Sequence, residues 1–244
     1  MNKKLILTLI LTLLVIGIIL ILYIFLKKFG KNILPNEVYK LIGQCESNPH
    51  PTFSHDITAL SKIDYIVPPG NIEDYGDYKI LKTHSYMKGP EKVAVYAPID
   101  STLYQGVYYQ EGGINQYSLF FEVSCEVYFL FDHIVDPPDK IKEAFPDTPS
   151  STTNTRGLSS TIPFKAGDLI GYSIGKDFEQ WDFGVYNRTV RQNFDELDLP
   201  NISGRDYQAV CPFDYFPEEK RQEYYSLFGS HISKPVPTRF CNSE

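Results

Sequence analysis

The residues able to do chemistry in this chain of 244 are few: five histidines, four cysteines, and a scatter of carboxylates among the 30 acids. His84 stands in an alternating Thr-His-Ser-Tyr stretch, Asp132-His133 closes an apolar run, and Asp182 opens Asp-Phe-Gly-Val-Tyr. An imidazole with a carboxylate can hold a metal ion or move a proton. The neighbouring Asp132 and His133 could form an acid–imidazole pair that orients a ring. Each has a plainer role in competition with this. His84 could be a hydrogen-bonded strand residue, Asp132-His133 a strand end that caps a turn, and Asp182 a turn carboxylate.

Cys45, Cys125, Cys211 and Cys241 are even in number and widely spaced, with no C-x-x-C pair. That spacing argues against a zinc ribbon and is compatible with two disulfides outside the cytoplasm, with four unpaired thiols as the plainer alternative. Four cysteines allow three connectivities, and Cys211–Cys241, closing the C-terminal segment, is the pair expected. Asn187-Arg-Thr and Asn201-Ile-Ser fit glycosylation acceptors. The net charge is −7 and residues 1–31 hold five lysines and no acid, which leaves −12 on residues 32–244. Such an acidic domain has no electrostatic footprint for nucleic acid.

The elements that must position these groups follow in order. Residues 1–4 are an N-terminal stub, and Leu5 to Leu26 is a run of 22 residues without a charge, flanked by lysine pairs. At about 1.5 Å rise per residue, that run crosses a hydrocarbon core of roughly 30 Å. No small-x-small cleavage site follows it, so an uncleaved single-pass anchor is expected, with the bulk of the chain outside. Residues 27–48 read as a linker. Residues 49–190 read as the β domain, and 191–244 as an extension with a helix over 217–229, opened by proline and acids and stopped by glycine.

Within the β domain, VAVYAPIDSTLYQGVYY (93–109) reads as two strands joined by a tight Pro/Asp turn. FKAGDLIGYSIG (164–175) has the same grammar, and the two suggest corresponding parts of one compact barrel. Further strands are expected near 116–123, 126–131 and 181–186. Residues 136–160 read as a loop insertion, with one helical turn near 139–145 and a Ser/Thr/Pro-rich remainder. Aromatic residues make up 14% of the chain. They suit a sugar-stacking surface, although tyrosine is also a common strand filler.

Six blocks in order, IVPPGNI, THSYM, VAVYAPIDSTL, FLFDHI, FKAGDLIG and WDFGVY, resemble divergent lysostaphin-type murein metallopeptidases. The resemblance covers roughly residues 63–187. It implies a duplicated-hybrid-motif β-barrel sandwich, so the fold class expected is mainly β, behind an N-terminal transmembrane helix and ahead of a short helical tail. In the active family, zinc is held by the His and Asp of H-x-x-x-D and by the second His of H-x-H. Here His84 matches the first histidine, but Lys88 stands where the aspartate belongs. Gln180 replaces the catalytic histidine of H-x-H, and Asp182 replaces its zinc ligand. The remaining catalytic histidine matches His133.

Hydrolytic zinc sites use three protein ligands and one open position. His84 and Asp182 make only two, with Asp132 or His133 able to complete a set if the fold brought them close. Glutamine at 180 can donate a hydrogen bond but cannot shuttle a proton. The resemblance therefore implies a degraded cleft lined by His84, His133, Gln180 and Asp182, with His133 as a vestigial catalytic residue. No cofactor is expected, or zinc on His84 and Asp182 if metal is still bound. The expected role is binding or scaffolding in the cell envelope, toward a wall polymer or a partner protein. The alternatives are a zinc peptidase with rearranged ligands cutting a wall peptide, and a purely structural surface domain.

Overall fold

The computed structural model describes residues 45–74, 76, 79–175, 180–194, 199, 202–229 and 240–241. The chain divides into two units, Met1–Ser47 and Asn48–Glu244. The expected anchor over 5–26, most of the linker, Asn201 and His231 lie outside the described residues. Among the described residues, no helix is long and apolar enough to cross a membrane.

Twelve strands are described: β1 (Tyr65–Val67), β2 (Asn71–Asp74), β3 (Lys79–Lys82), β4 (Ser85–Lys88), β5 (Ala94–Tyr96), β6 (Ser101–Glu111), β7 (Ile114–Glu122), β8 (Val127–Ile134), β9 (Arg156–Phe164), β10 (Leu169–Tyr172), β11 (Gln180–Asn187) and β12 (Ala209–Val210). Two short helices join them, α1 (Asp139–Lys142) and α2 (Glu218–Ser226). The main sheet runs β1-β4-β11-β8-β7-β6-β9, with β12 also paired to β11, and its neighbours are antiparallel. β6 and β7 are joined by Gly112-Gly113, both at positive φ, as a two-residue hairpin loop requires.

Alternation explains the core. In β11, Trp181, Phe183 and Val185 point to one face and Gln180, Asp182 and Gly184 to the other. The inward set meets Phe129 and Phe131 of β8, which pack in turn on Phe121 of β7. Phe131 stacks on Phe183 with centroids 5.1 Å apart, and Phe121 on Phe129 at 4.8 Å. Phe53, fully buried, closes this layer from the N-terminal side against Phe129 and Phe216.

The expectation of a mainly β domain with a short C-terminal helix is met. The strand pairing is more open than a barrel: the path has two ends, β1 and β9, among the described residues. The two stretches with matching grammar pair with each other, β10 against β5, through Leu169↔Tyr96 and Tyr172↔Ala94. β9 begins at Arg156, inside the segment expected to be loop. It buries only Phe164 along its length, so it carries no apolar alternation to announce it. Helix α2 stops at Ser226, short of 229, because Leu227 and Gly229 turn to hydrogen-bond Ile66 of β1.

The Cys211–Cys241 disulfide is formed, and Cys45 and Cys125 are disulfide-bonded as well. Disulfides of this kind belong to an oxidising compartment. Asn187 is not a glycosylation acceptor. It is 1% exposed, and its amide donates to Pro49 O and Tyr215 Oη while Oδ1 accepts from Thr189.

Candidate functional site

The site forms where three strands run side by side on the face opposite the aromatic core. In register, Asp182 of β11 is flanked by Tyr86 of β4 and Asp132 of β8. His84 immediately precedes β4 and packs against Gly184. A Cβ at that glycine would lie 2.9 Å from His84 Cβ, so the missing side chain makes room for the ring. Two imidazoles then converge on one carboxylate oxygen: His84 Nε2 is 3.1 Å and His133 Nε2 3.5 Å from Asp182 Oδ2.

Asp182 is 3% exposed. Burial by itself pushes its carboxyl up, but the adjacent His84 and His133 hold it below the usual carboxylate range. Its neighbour Asp132 goes the other way: burial raises it, against the opposing pull of His133. Two buried atoms of the cluster, Asp182 Oδ1 and His84 Nδ1, have no hydrogen-bond partner among the described residues. A buried polar atom without a partner costs about 1–3 kcal/mol.

His133 is held from behind. Its backbone sits at φ +61, an uncommon place for a residue with a side chain. Such strain costs about 1–3 kcal/mol and persists where surroundings enforce it. Here Asp132 Oδ1 accepts both the His133 backbone N–H and the Tyr109 phenol, each at 2.8 Å. The ring Nδ1 lies 2.9 Å from Gln116 Oε1 and 3.2 Å from Tyr109 Oη, which leaves Nε2 facing Asp182. Burial together with the Asp132 charge raises the Tyr109 phenol far above its usual value, so it stays a donor.

Of the four expected cleft residues, the fold brings His84, His133 and Asp182 together. Gln180 stands two residues up β11, directly across from Lys88, whose ammonium donates to its side-chain oxygen. Two of the three positions at which the resembled pattern is broken thus satisfy each other. Tyr109 and Gln116 were not expected at the site. They reach it from the β6–β7 hairpin, and no motif or spacing marked them.

Asp132, His133 and Asp182 each offer one ligand atom, and the three atoms lie within 4.8 Å of one another. Two carboxylates and an imidazole suit a divalent cation, and the unpartnered Asp182 Oδ1 is an acceptor that such an ion would take. This set differs from the expected pair, since Asp132 enters it and His84 becomes a partner of Asp182.

No family model matches the sequence, and no curated protein matches it. Among solved structures, the chain is similar to Csd3 of Helicobacter pylori in an orthorhombic crystal, at 12% identity and a TM-score of 0.37. That alignment covers 72% of this chain and 40% of Csd3, so this chain spans less than half of that protein. It is also similar to the SpoIIQ–SpoIIIAH pore forming complex, at 8% identity and a TM-score of 0.40, covering 71% of this chain and 97% of the other. At TM-scores below 0.5 they carry nothing about chemistry or partners.

Proposed function

We propose that this protein is a membrane-anchored, extracytoplasmic module whose metallopeptidase-like cleft binds without cutting, and that it scaffolds a wall polymer or a partner protein in the cell envelope. The observation that carries this reading is the internal pairing of the site. Lys88 puts a cation where the family has an acid ligand and spends it on Gln180. Asp182 stands where the family has a histidine ligand and is engaged by His84 and His133. A site whose donors answer one another has lost the open coordination position that hydrolysis requires. The anchor comes from the 5–26 run and the outside location from the disulfides. Old enzyme folds keep clefts that serve recognition, because fold and function separate readily.

The second reading is a cation site on Asp132, His133 and Asp182, favoured by their proximity and by the unpartnered Asp182 Oδ1. A metal held there would act as a Lewis acid toward a bound carbonyl or water. His84 would orient Asp182 from behind. Tyr109 and Gln116 would keep the His133 ring aimed at the ion. The protein lacks a proton shuttle at 180 in either case.

The test is metal content and hydrolysis together. Full-length protein purified in detergent is incubated with excess zinc, dialysed, and assayed for metal and for cleavage of wall peptides. No retained metal and no cleavage, with binding to purified wall or an envelope protein lost in Asp182→Ala, supports the binding module. Stoichiometric zinc with cleavage that disappears in His133→Ala overturns it.

A further inference from the structure

The two ends of the main sheet are finished differently. At the β1 end, the Ile66 N–H donates to Leu227 O at 2.7 Å and the Gly229 N–H donates to Ile66 O at 2.9 Å, so the stretch after α2 covers that edge. At the other end, β9 is the last strand, and among the described residues no backbone group bonds to its outer side. Its register to β6 also lapses in the middle: Ile162 pairs with Leu103 and Gly157 with Gln105, leaving 158–161 off the ladder. Ser159, Ser160 and Thr161 are exposed. An edge strand with free N–H and C=O groups is a template for another strand.

Beside this edge lies a groove of about 480 Å³, lined by Tyr108, Phe145, Pro146, Leu158 and Arg156 among others. Its apolar side is ordered by ring packing, with Tyr108 stacked on Tyr117 at 4.7 Å and Tyr117 edge-on to Phe145 at 5.6 Å. Arg156 opens β9 and is exposed, with no hydrogen bond or ion pair among the described residues. In so acidic a domain, a cation left without a carboxylate at the mouth of a groove is a complement for a charge from elsewhere.

Charge also chooses between occupants. A second copy pairing antiparallel through β9, centred on Ser160–Thr161, would set Arg156 opposite Lys165 of the other chain, whose carboxylate partner Asp100 is already engaged at 2.6 Å, so Arg156 gains no free acid there. Pro163 would interrupt the shared ladder as well, having no N–H to give. An acidic segment brings free carboxylates to Arg156 and no second proline, leaving Pro163 of β9 as a gap that either occupant must bridge.

We propose that the β9 edge accepts an extended acidic segment of a partner protein as an added strand, with an apolar side chain in the Tyr108/Phe145 groove and a carboxylate on Arg156. This surface is separate from the histidine cleft, so it stands whether or not the cleft binds anything.

The experiment uses full-length protein in detergent and two short synthetic peptides, one alternating valine with glutamate and one alternating valine with lysine. Backbone hydrogen exchange is followed at 158–161, and affinity by fluorescence anisotropy. The glutamate peptide is expected to slow exchange there and to bind about tenfold more tightly than the lysine peptide. Arg156→Glu, a change at an exposed position with an unchanged circular dichroism spectrum, is expected to reverse that preference. Ser160→Pro, with an unchanged circular dichroism spectrum, is expected to abolish protection. The proposal is overturned by no protection from either peptide, by equal binding of both, by a preference that survives Arg156→Glu, or by protection that rises with protein concentration alone. That last result would identify a second copy as the occupant. If Ser160→Pro misfolds, the Arg156→Glu comparison decides.

Discussion

His84 and Asp182 meet across the β4–β11 pairing, imidazole Nε2 to carboxylate Oδ2 at 3.1 Å, with the aspartate side chain 4% exposed. The contact exists because Gly184 leaves room for the ring and because Asp182 alternates with core residues on its strand. It ties the start of β4 to β11, as His133 ties β8 to the same carboxylate, and several expected outcomes follow from how it is built.

Removing the carboxylate should cost stability. Asp182→Ala leaves His84 and His133 facing an empty buried volume, and is expected to destabilise by about 1–3 kcal/mol. Asp182→Asn keeps the shape and one acceptor, and should cost less. Urea midpoints of the two variants decide, and equal costs would mean that the charge of the carboxylate, not the shape it fills, matters there.

Filling the glycine should eject the ring. Gly184→Ala places a methyl 2.9 Å from His84 Cβ and 3.3 Å from the Tyr186 ring. Overpacking of that kind is expected to cost about 1–3 kcal/mol. The His84 ring resonances in an NMR spectrum should move with it, and unchanged resonances would show that the backbone gives way instead.

Rebuilding the family's residue types should bring metal back. Lys88→Asp with Asp182→His, beside the native His84, is expected to bind zinc measurably tighter than the unaltered protein by isothermal titration calorimetry. A wild-type protein that already binds as tightly would sink the reading of a degraded site.

Alkaline pH should unfold the domain through its tyrosines. Burial pushes the Tyr104 and Tyr117 phenols up to about 12, and those of Tyr109, Tyr128 and Tyr224 are raised as well. In the unfolded chain these groups titrate near pH 10. A folded value raised above the unfolded one gives stability that is fully present below about pH 10 and is lost as pH climbs toward 12. Tyrosinate absorbance should therefore appear together with the loss of circular dichroism. Smooth titration before unfolding would contradict the burial.

Opening the C-terminal disulfide should loosen the tail. Cys211 and Cys241 lie 30 residues apart, and replacing both by alanine is expected to cost about 3–4 kcal/mol from loop closure. Tyr225, whose hydroxyl lies 3.7 Å from Cys211 Sγ, should become more accessible to quenchers. No change in either would mean that the aromatic contacts of α2 hold the tail unaided.

The sequence by itself determined the elements whose signal is local. The Pro/Asp turn between β5 and β6, the apolar run of β8, the alternation of β11, and the proline-and-acid start of α2 are all read within a few residues. It also marked His84, His133 and Asp182, because the resemblance runs through ordered blocks. What only the tertiary structure decided is who answers whom. That Lys88 faces Gln180 depends on the register of β4 with β11, which is set by the core on the other face of the sheet. That Tyr109 and Gln116 hold the His133 ring depends on folding the β6–β7 hairpin beside β8, a placement no residue in the hairpin encodes alone. β9 stayed hidden for the converse reason. An edge strand buries almost nothing, so it leaves no apolar pattern in the sequence, and only its partner β6 makes it a strand.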